Sequence, residues 1–105
     1  LEQTLYGDIY AIARRIEDGI MGGSISASLE DSSFFCQGEA KCCVRVFERY
    51  SYMGGNRVSL SVTLFQNGNG PVMLSAITSG GSQALFWKIN TVGEEAFLDK
   101  LREIL

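Results

Sequence analysis

Two neighbouring stretches of strict residue alternation constrain the fold of this chain more than any other feature of its sequence. The first runs from Glu39 to Tyr52 and the second from Val58 to Gln66, with Met53–Asn56 between them. Alternation of this length, rich in β-branched and aromatic residues, is typical of β-strands whose two faces meet different surroundings. The two stretches therefore predict one long β-hairpin that extends from Glu39 to Gln66.

The register of this hairpin decides which side chains share a face. A two-residue turn at Gly54-Gly55 would pair Arg45 with Leu64 and so place arginines on the aliphatic face. A loop of three or five residues instead pairs Val46 with Val62 or Leu64 and leaves the arginines among serines and a threonine. Because a shift of one residue exchanges the two faces, we predict the odd-length loop. The predicted inward side chains are Ala40, Cys42, Val44, Val46, Val58, Leu60, Val62 and Leu64.

The segment before the hairpin predicts a short strand, a helix and a further strand. Residues 1–6 have weak strand character, and Asp8 is the expected N-cap of a helix that ends at Gly22-Gly23. One face of this helix is apolar, because isoleucines and an alanine recur at helical spacing. Its members are Ile9, Ile12, Ala13, Ile16 and Ile20. Alternation resumes at Ser24, and Asp31-Ser32-Ser33 has the composition of a turn.

The segment after the hairpin predicts a strand and a final helix. A turn at Asn67–Pro71 leads into a strand with Val72, Leu74 and Ala76 facing inward. Residues 84–89 are compatible with either an extra short strand or a helical turn. A capping box from Thr91 to Glu94 then starts the last helix.

The order β-α-β-β-β-β-α predicts a single α+β domain over residues 1–105. Each helix offers one apolar stripe and the antiparallel sheet one aliphatic face, so the natural packing is a two-layer sandwich with both helices on one face.

Charge and cysteine content narrow the function classes. The formal net charge of −3 argues against a nucleic-acid partner, because a phosphate backbone requires a basic surface. No apolar run is long enough for a membrane span and no signal peptide is recognisable, so we expect no membrane association. Three cysteines, an odd number, favour a reduced cytoplasmic protein.

The absence of histidine removes the usual general base and the commonest transition-metal ligand. We therefore expect no catalytic residue, no metal site and no cofactor, and the sequence favours a non-enzymatic protein. Cys42 lies in the predicted inward register and is expected in the core. Cys43 lies near Lys41 and Arg45 on the opposite face, where an exposed thiol would have a lowered pKa and thiol chemistry is the alternative.

Two surfaces are candidates for binding. The preferred one is the sheet face away from the helices, where a mixture of apolar and arginine side chains would support self-association, with a dimer as the first expectation. Its expected members include Arg45, Phe47, Arg49, Phe65, Met73 and Ile77. The alternative is a small-molecule or enzyme site at the end of the sheet. Its expected members are Tyr50, Tyr52, Ser79, Gly80, Gly81, Ser82 and Trp87.

Four segments of the chain resemble a family of small bacterial proteins of unknown function, chiefly from Firmicutes. They are Ser26–Ser33, Val44–Gly55, Ser75–Ala84 and Lys88–Asp99, and together they extend the likeness over nearly the whole chain. The resemblance implies a bacterial cytoplasmic protein. It implies no activity, cofactor or catalytic residue.

Overall fold

The fold is taken from a computed structural model that describes residues 1–23, 27–50, 57–80, 98–99 and 101–105. The described residues form five strands, one long helix and a helical segment near the C-terminus, α2, at residues 98–99 and 101–104. The other elements are β1 (Glu2–Leu5), α1 (Ile9–Gly23), β2 (Ser28–Gln37), β3 (Ala40–Tyr50), β4 (Arg57–Asn67) and β5 (Val72–Gly80). The predicted α+β class and the order β-α-β-β-β-β-α are confirmed.

The strands form one antiparallel sheet in the order β1-β5-β4-β3-β2. The apolar stripe of α1 packs on one face of this sheet, and Leu101 of α2 is buried in the same hydrophobic cluster. We call this covered side the helix face and the other side the open face. The core therefore lies in a single layer between the sheet and the helices.

The N-terminal end of α1 is fixed by the predicted cap. The carboxylate of Asp8 accepts a hydrogen bond of 3.0 Å from the backbone N–H of Ala11. This bond satisfies one of the amides that the first helical turn leaves without an intrahelical partner.

A buried glutamine fastens the start of α1 to the sheet. Gln66 on β4 accepts from Ile9 N–H at 3.2 Å and donates to the carbonyls of Gly7 at 2.8 Å and Gly70 at 2.9 Å. Both polar atoms of its amide are hydrogen-bonded. These bonds compensate for the loss of water when the side chain is buried.

The alternation predicted for β4 and β5 is confirmed. The aliphatic residues of both strands are buried against the helices, and Phe65, Met73 and Ile77 are exposed on the open face. The buried members are Val58, Leu60, Val62, Leu64, Val72, Leu74 and Ala76.

The predicted register of β3 is wrong. Arg45 pairs with Val62 and Phe47 with Leu60, so both side chains share the helix face with the aliphatic residues of β4. Tyr50 pairs with Arg57, so the number of residues between the two strands is even rather than odd. The residues expected inward are consequently on the open face. They are Ala40, Cys42, Val44 and Val46.

The reversed register has a physical cause in two side chains of β3. Phe47 is 0% exposed, and burying a phenylalanine removes more apolar surface from water than burying a valine. Arg45 is tolerated beneath α1 because it forms an ion pair with Glu17. Its guanidinium also donates to the carbonyls of Ser33 at 3.3 Å and Val44 at 3.0 Å.

The turn predicted at Asp31-Ser32-Ser33 is also wrong. These residues lie inside β2, next to a β-bulge between Leu29 and Asp31. The chain reverses instead at Gly38-Glu39, since Gln37 pairs with Ala40. Gly38 has a φ of 58°, which a glycine adopts without steric cost in so short a turn.

Candidate interaction face

Four side chains form a continuous apolar line across the open face, which we call the apolar row. Its members are Phe35, Cys42, Phe65 and Met73, one from each of β2, β3, β4 and β5. The strand registers align them, because Phe35 pairs with Cys42, Cys42 with Phe65, and Phe65 with Met73. Directly opposed residues in antiparallel strands place their Cβ atoms about 5 Å apart, so neighbours in the row contact one another.

The apolar row is substantially accessible. Phe35 is 60% exposed, Phe65 44% and Met73 51%. The row ends at Met73 on β5. Beside it on β1 lies Thr4, whose hydroxyl donates to the Met73 sulfur at 3.7 Å. A shallow groove of about 520 Å³ runs along this part of the face, between β1 and the side chains of Phe65 and Met73.

The lines next to the apolar row carry mainly small hydroxyl and valine side chains. The line next to the apolar row carries Val44 beside Thr63. The following line carries Val46 beside Ser61, and Ser61 lies beside Ile77, which is 64% exposed. A sheet face that only contacts water is normally polar, so this amount of exposed apolar surface is characteristic of a contact surface.

Charged side chains lie at the margins of the open face. Arg57 at one end forms ion pairs with Glu30 at 3.2 Å and Glu48 at 3.3 Å. Glu2 and Asp31 belong to the two edge strands. The centre of the face is therefore neutral and can be covered without stranding a charge.

The predicted position on the open face is correct for some residues of the preferred surface and wrong for others. Phe65, Met73 and Ile77 are on the open face as predicted. Phe47, Arg45 and Arg49 are on the helix face, and their absence makes the open face less basic and more apolar than predicted. The lowered pKa of Arg49 results from desolvation by burial, which is consistent with this position.

The two adjacent cysteines of β3 exchange the roles predicted for them. Cys43 is buried, and desolvation raises the pKa of its thiol despite the nearby Arg45. Thiol chemistry at Cys43, the alternative that an exposed thiol would have allowed, is therefore contradicted, because reactivity requires an accessible thiolate. Cys42, expected in the core, instead belongs to the apolar row and is half-buried. Cys36 is exposed on β2, and all three thiols are free.

The alternative site at the end of the sheet lies largely outside the described residues. Ser79 and Gly80 end β5, and the Ser79 hydroxyl lies 2.9 Å from that of Ser59. Tyr50 ends β3. The remaining members, Tyr52, Gly81, Ser82 and Trp87, are not among the described residues, and this site stays a prediction.

Two further properties concern the part of the chain that the structure describes. It brings together no group of three or more cysteine, aspartate or glutamate side chains that could hold a metal ion. None of its helices has the length and apolar character that crossing a lipid bilayer requires.

The sequence pattern missed Phe35, Cys42, Val44 and Val46 as members of the open face. One indication was present in the adjacent pair Phe34-Phe35. Consecutive residues of a strand point to opposite faces, so two neighbouring phenylalanines must place one aromatic ring on each side of the sheet.

Comparison with known protein families gives a match over the whole chain. The family model DUF6054, described as a family of unknown function, matches residues 1–105. No curated protein and no solved structure is similar enough to the chain to count as a match.

Proposed function

We propose that this chain, which belongs to the DUF6054 family of unknown function, is a binding domain that self-associates through the open face of its sheet. The observation that carries the proposal is the apolar row, which crosses four strands with no charged side chain in it. Non-enzymatic binding requires no catalytic group, and the open face offers shape and apolar area rather than chemistry.

The apolar area is of the right order for such a contact. Phe35, Phe65, Met73 and Ile77 are between 44% and 64% exposed, and large side chains of this kind each present 150–250 Å² when fully accessible, so together they leave about 400 Å² uncovered. A stable interface buries about 800 Å² on each partner. The neighbouring lines of valine and hydroxyl side chains would supply the remainder.

A second copy of the chain is the occupant that this surface favours. Two sheets pack face to face at a spacing of about 10 Å, and the short serine and threonine side chains of the open face permit that approach. A twofold axis through the face would place apolar row against apolar row. The acidic residues at the margins would then remain at the rim of the interface, in contact with water.

We propose a bacterial cytoplasmic setting for this assembly. Its support is the presence of three free thiols, two of them accessible or half-buried, which a reducing compartment preserves.

Sedimentation equilibrium over a range of protein concentrations tests the proposal with a matched pair of methionine variants. Met73 is 51% exposed on the open face and Met21 is 42% exposed on α1, so the two substitutions make the same chemical change on opposite sides of the molecule. We expect Met73→Lys to weaken self-association by about tenfold or more, because it places a cation in an apolar contact. Met21→Lys should leave association unchanged.

The proposal fails if the wild-type chain is a monomer at every concentration, or if Met21→Lys and Met73→Lys weaken association equally. A thermal unfolding curve for each variant establishes that the monomer is folded before association is compared.

A further inference from the structure

β2 is a long edge strand whose outer side is unpaired among the described residues. It spans Ser28–Gln37, pairs with β3 on one side, and is exposed at every residue from Leu29 to Gln37. A strand in this position offers a row of backbone donors and acceptors to any chain that can align with it. Proteins normally block such edges with charge, proline or bulges, or cover them.

The two halves of β2 differ in how well they are blocked. The first half contains the β-bulge between Leu29 and Asp31, and the acidic pair Glu30-Asp31. Asp31 also uses its carboxylate to accept a 2.8 Å hydrogen bond from the backbone N–H of Ser32. Charge, distortion and a capped amide all discourage an added strand here.

The second half, residues 32–37, contains no bulge and no acidic residue, and only the amide of Ser32 at its start is bonded to Asp31. Its sequence Ser-Ser-Phe-Phe-Cys-Gln has no charge and no proline. Phe34 is 43% exposed on the helix face, where its ring lies 5.2 Å from that of Tyr10, and Phe35 is more than half exposed on the open face. A strand added at this edge would cover both rings and would also pair the outer backbone groups of β2, which have no partner strand among the described residues.

We infer that residues 31–37 pair antiparallel with the same residues of a second copy, about a twofold axis at Phe34, so that the uncharged residues 32–36 face one another. This register places Phe34 opposite Phe34 of the other copy, and Ser33 opposite Phe35. Asp31 then lies opposite Gln37, and Glu30 opposite Gly38, so no acid faces an aromatic ring or another acid. Aromatic cross-strand pairs stabilise such a ladder.

Neighbouring registers are less favourable for electrostatic reasons. An axis at Ser33 would place Asp31 opposite Phe35, and an axis at Phe35 would place Asp31 opposite Glu39. The first leaves a carboxylate against an apolar ring, and the second opposes like charges. The position of Asp31 therefore favours the register with the axis at Phe34 over the two neighbouring ones.

The edge contact goes beyond the proposed face-to-face contact and uses a different surface. Its axis is perpendicular to the sheet, so the open faces of both copies lie on the same side of one continuous ten-stranded sheet, twice the five strands of a single chain. Edge pairing and face packing together give a tetramer, whereas either one alone gives a dimer. Phe35 contributes to both contacts, so the edge is tested at Phe34 and Cys36.

Concentration-dependent hydrogen exchange, combined with sedimentation, tests the inference on the full chain. The edge variants are Phe34→Lys and Cys36→Lys, since both residues are exposed on the uncharged half of β2. Leu29→Lys is the matched control, because Leu29 is an exposed apolar residue on the helix-face side of the same strand but lies in the acidic half. Cys36→Lys retains the Phe34–Tyr10 contact and serves if Phe34→Lys does not fold.

We expect the amides of residues 32–37 that do not bond to β3, which alternate along the strand, to exchange about tenfold or more slowly at high protein concentration than on dilution. Each edge variant should abolish this protection and remove one step of assembly, whereas Leu29→Lys and Met73→Lys should leave the protection intact. Exchange that is equally fast at all concentrations would overturn the inference. Protection independent of concentration would also overturn it, because it would mean that the chain covers its own edge.

The two contacts fail in distinguishable ways. If Met73→Lys loses association while Phe34→Lys and Cys36→Lys are unchanged, the edge contact is contradicted and the face contact is supported. If Phe34→Lys and Cys36→Lys lose association while Met73→Lys is unchanged, the face contact is contradicted and the edge contact is supported.

Discussion

β3 and β4 lie side by side with 11 residues each, yet they divide their side chains between the two faces of the sheet in different ways. β4 directs aliphatic residues at the helices and small hydroxyl residues at the open face. β3 directs Phe47 and Arg45 at the helices and Val44 and Val46 at the open face. A strand can therefore bury its mixed face and expose its aliphatic one when a single large ring and one ion pair favour that register.

The open face owes its apolar character to this difference. Had β3 followed the pattern of β4, Cys42 and the two valines would be in the core and arginines would be on the outside. The observed register instead places Cys42 between Phe35 and Phe65, which completes the apolar row. The open face on which the proposed self-association depends is apolar because Phe47 and Arg45 of β3 pack on the helix face instead.

The largest difference in unfolding free energy between the two strands is expected when the phenylalanine of each is replaced by alanine. Phe47→Ala should lower the free energy of unfolding by about 3–5 kcal/mol, because it leaves a cavity in the core. Phe65→Ala makes the same chemical change on the open face, where the ring is 44% exposed, and should cost less than about 1 kcal/mol in the monomer. Urea unfolding of both variants at low protein concentration measures the difference. Equal losses would mean that both rings occupy the same kind of environment.

An intermediate effect is expected from the ion pair beneath α1. Glu17→Ala leaves Arg45 partly buried with no carboxylate, and should cost about 1–2 kcal/mol of unfolding free energy. Glu30→Ala removes a carboxylate from the exposed pair with Arg57 and should cost less than about 0.5 kcal/mol. Arg45→Met, which keeps the apolar stem and removes the charge, should be milder than Glu17→Ala. An equal effect of Glu17→Ala and Glu30→Ala in chemical denaturation would contradict the assignment of Arg45 to the helix face.

The smallest effect concerns the pH dependence of stability and the buried Cys43 of β3. Burial raises the pKa of Cys43 above its ordinary value of 9.0, so above that pH the unfolded chain releases a proton that the folded chain retains. Stability attributable to this thiol should be complete below pH 9.0 and fall as the pH rises through and above that value. Cys43→Ala should flatten the alkaline decline in unfolding free energy relative to the wild-type chain.

The parts of the fold that the sequence predicts correctly are those in which most apolar residues occupy one register. α1 has a single apolar stripe and an aspartate cap, β4 alternates along its length between buried and more accessible positions, and β5 does so from Val72 to Ile77. In each of these elements the local pattern and the tertiary packing agree, which is why a short window of sequence suffices.

β3 could not be predicted in this way because both of its registers contain apolar residues. One interaction that favours the observed register joins Arg45 to Glu17, which are 28 positions apart in the chain, and no local window contains both. β2 was misassigned in part for a related reason: an exposed edge strand is polar, and Asp31-Ser32-Ser33 therefore has the composition of a turn.

Adjacent cysteines provide the most direct test of the register of β3, on which the open-face surface depends. The measurement is alkylation of the native wild-type chain, at a concentration where sedimentation shows a monomer, with each thiol resolved by fragment mass spectrometry. We predict that Cys42 on the open face is modified while Cys43 stays protected until the chain unfolds. Of these two adjacent thiols, Cys42 is the accessible one in the folded monomer. Modification of Cys43 ahead of Cys42 would contradict the register and remove the apolar row with it.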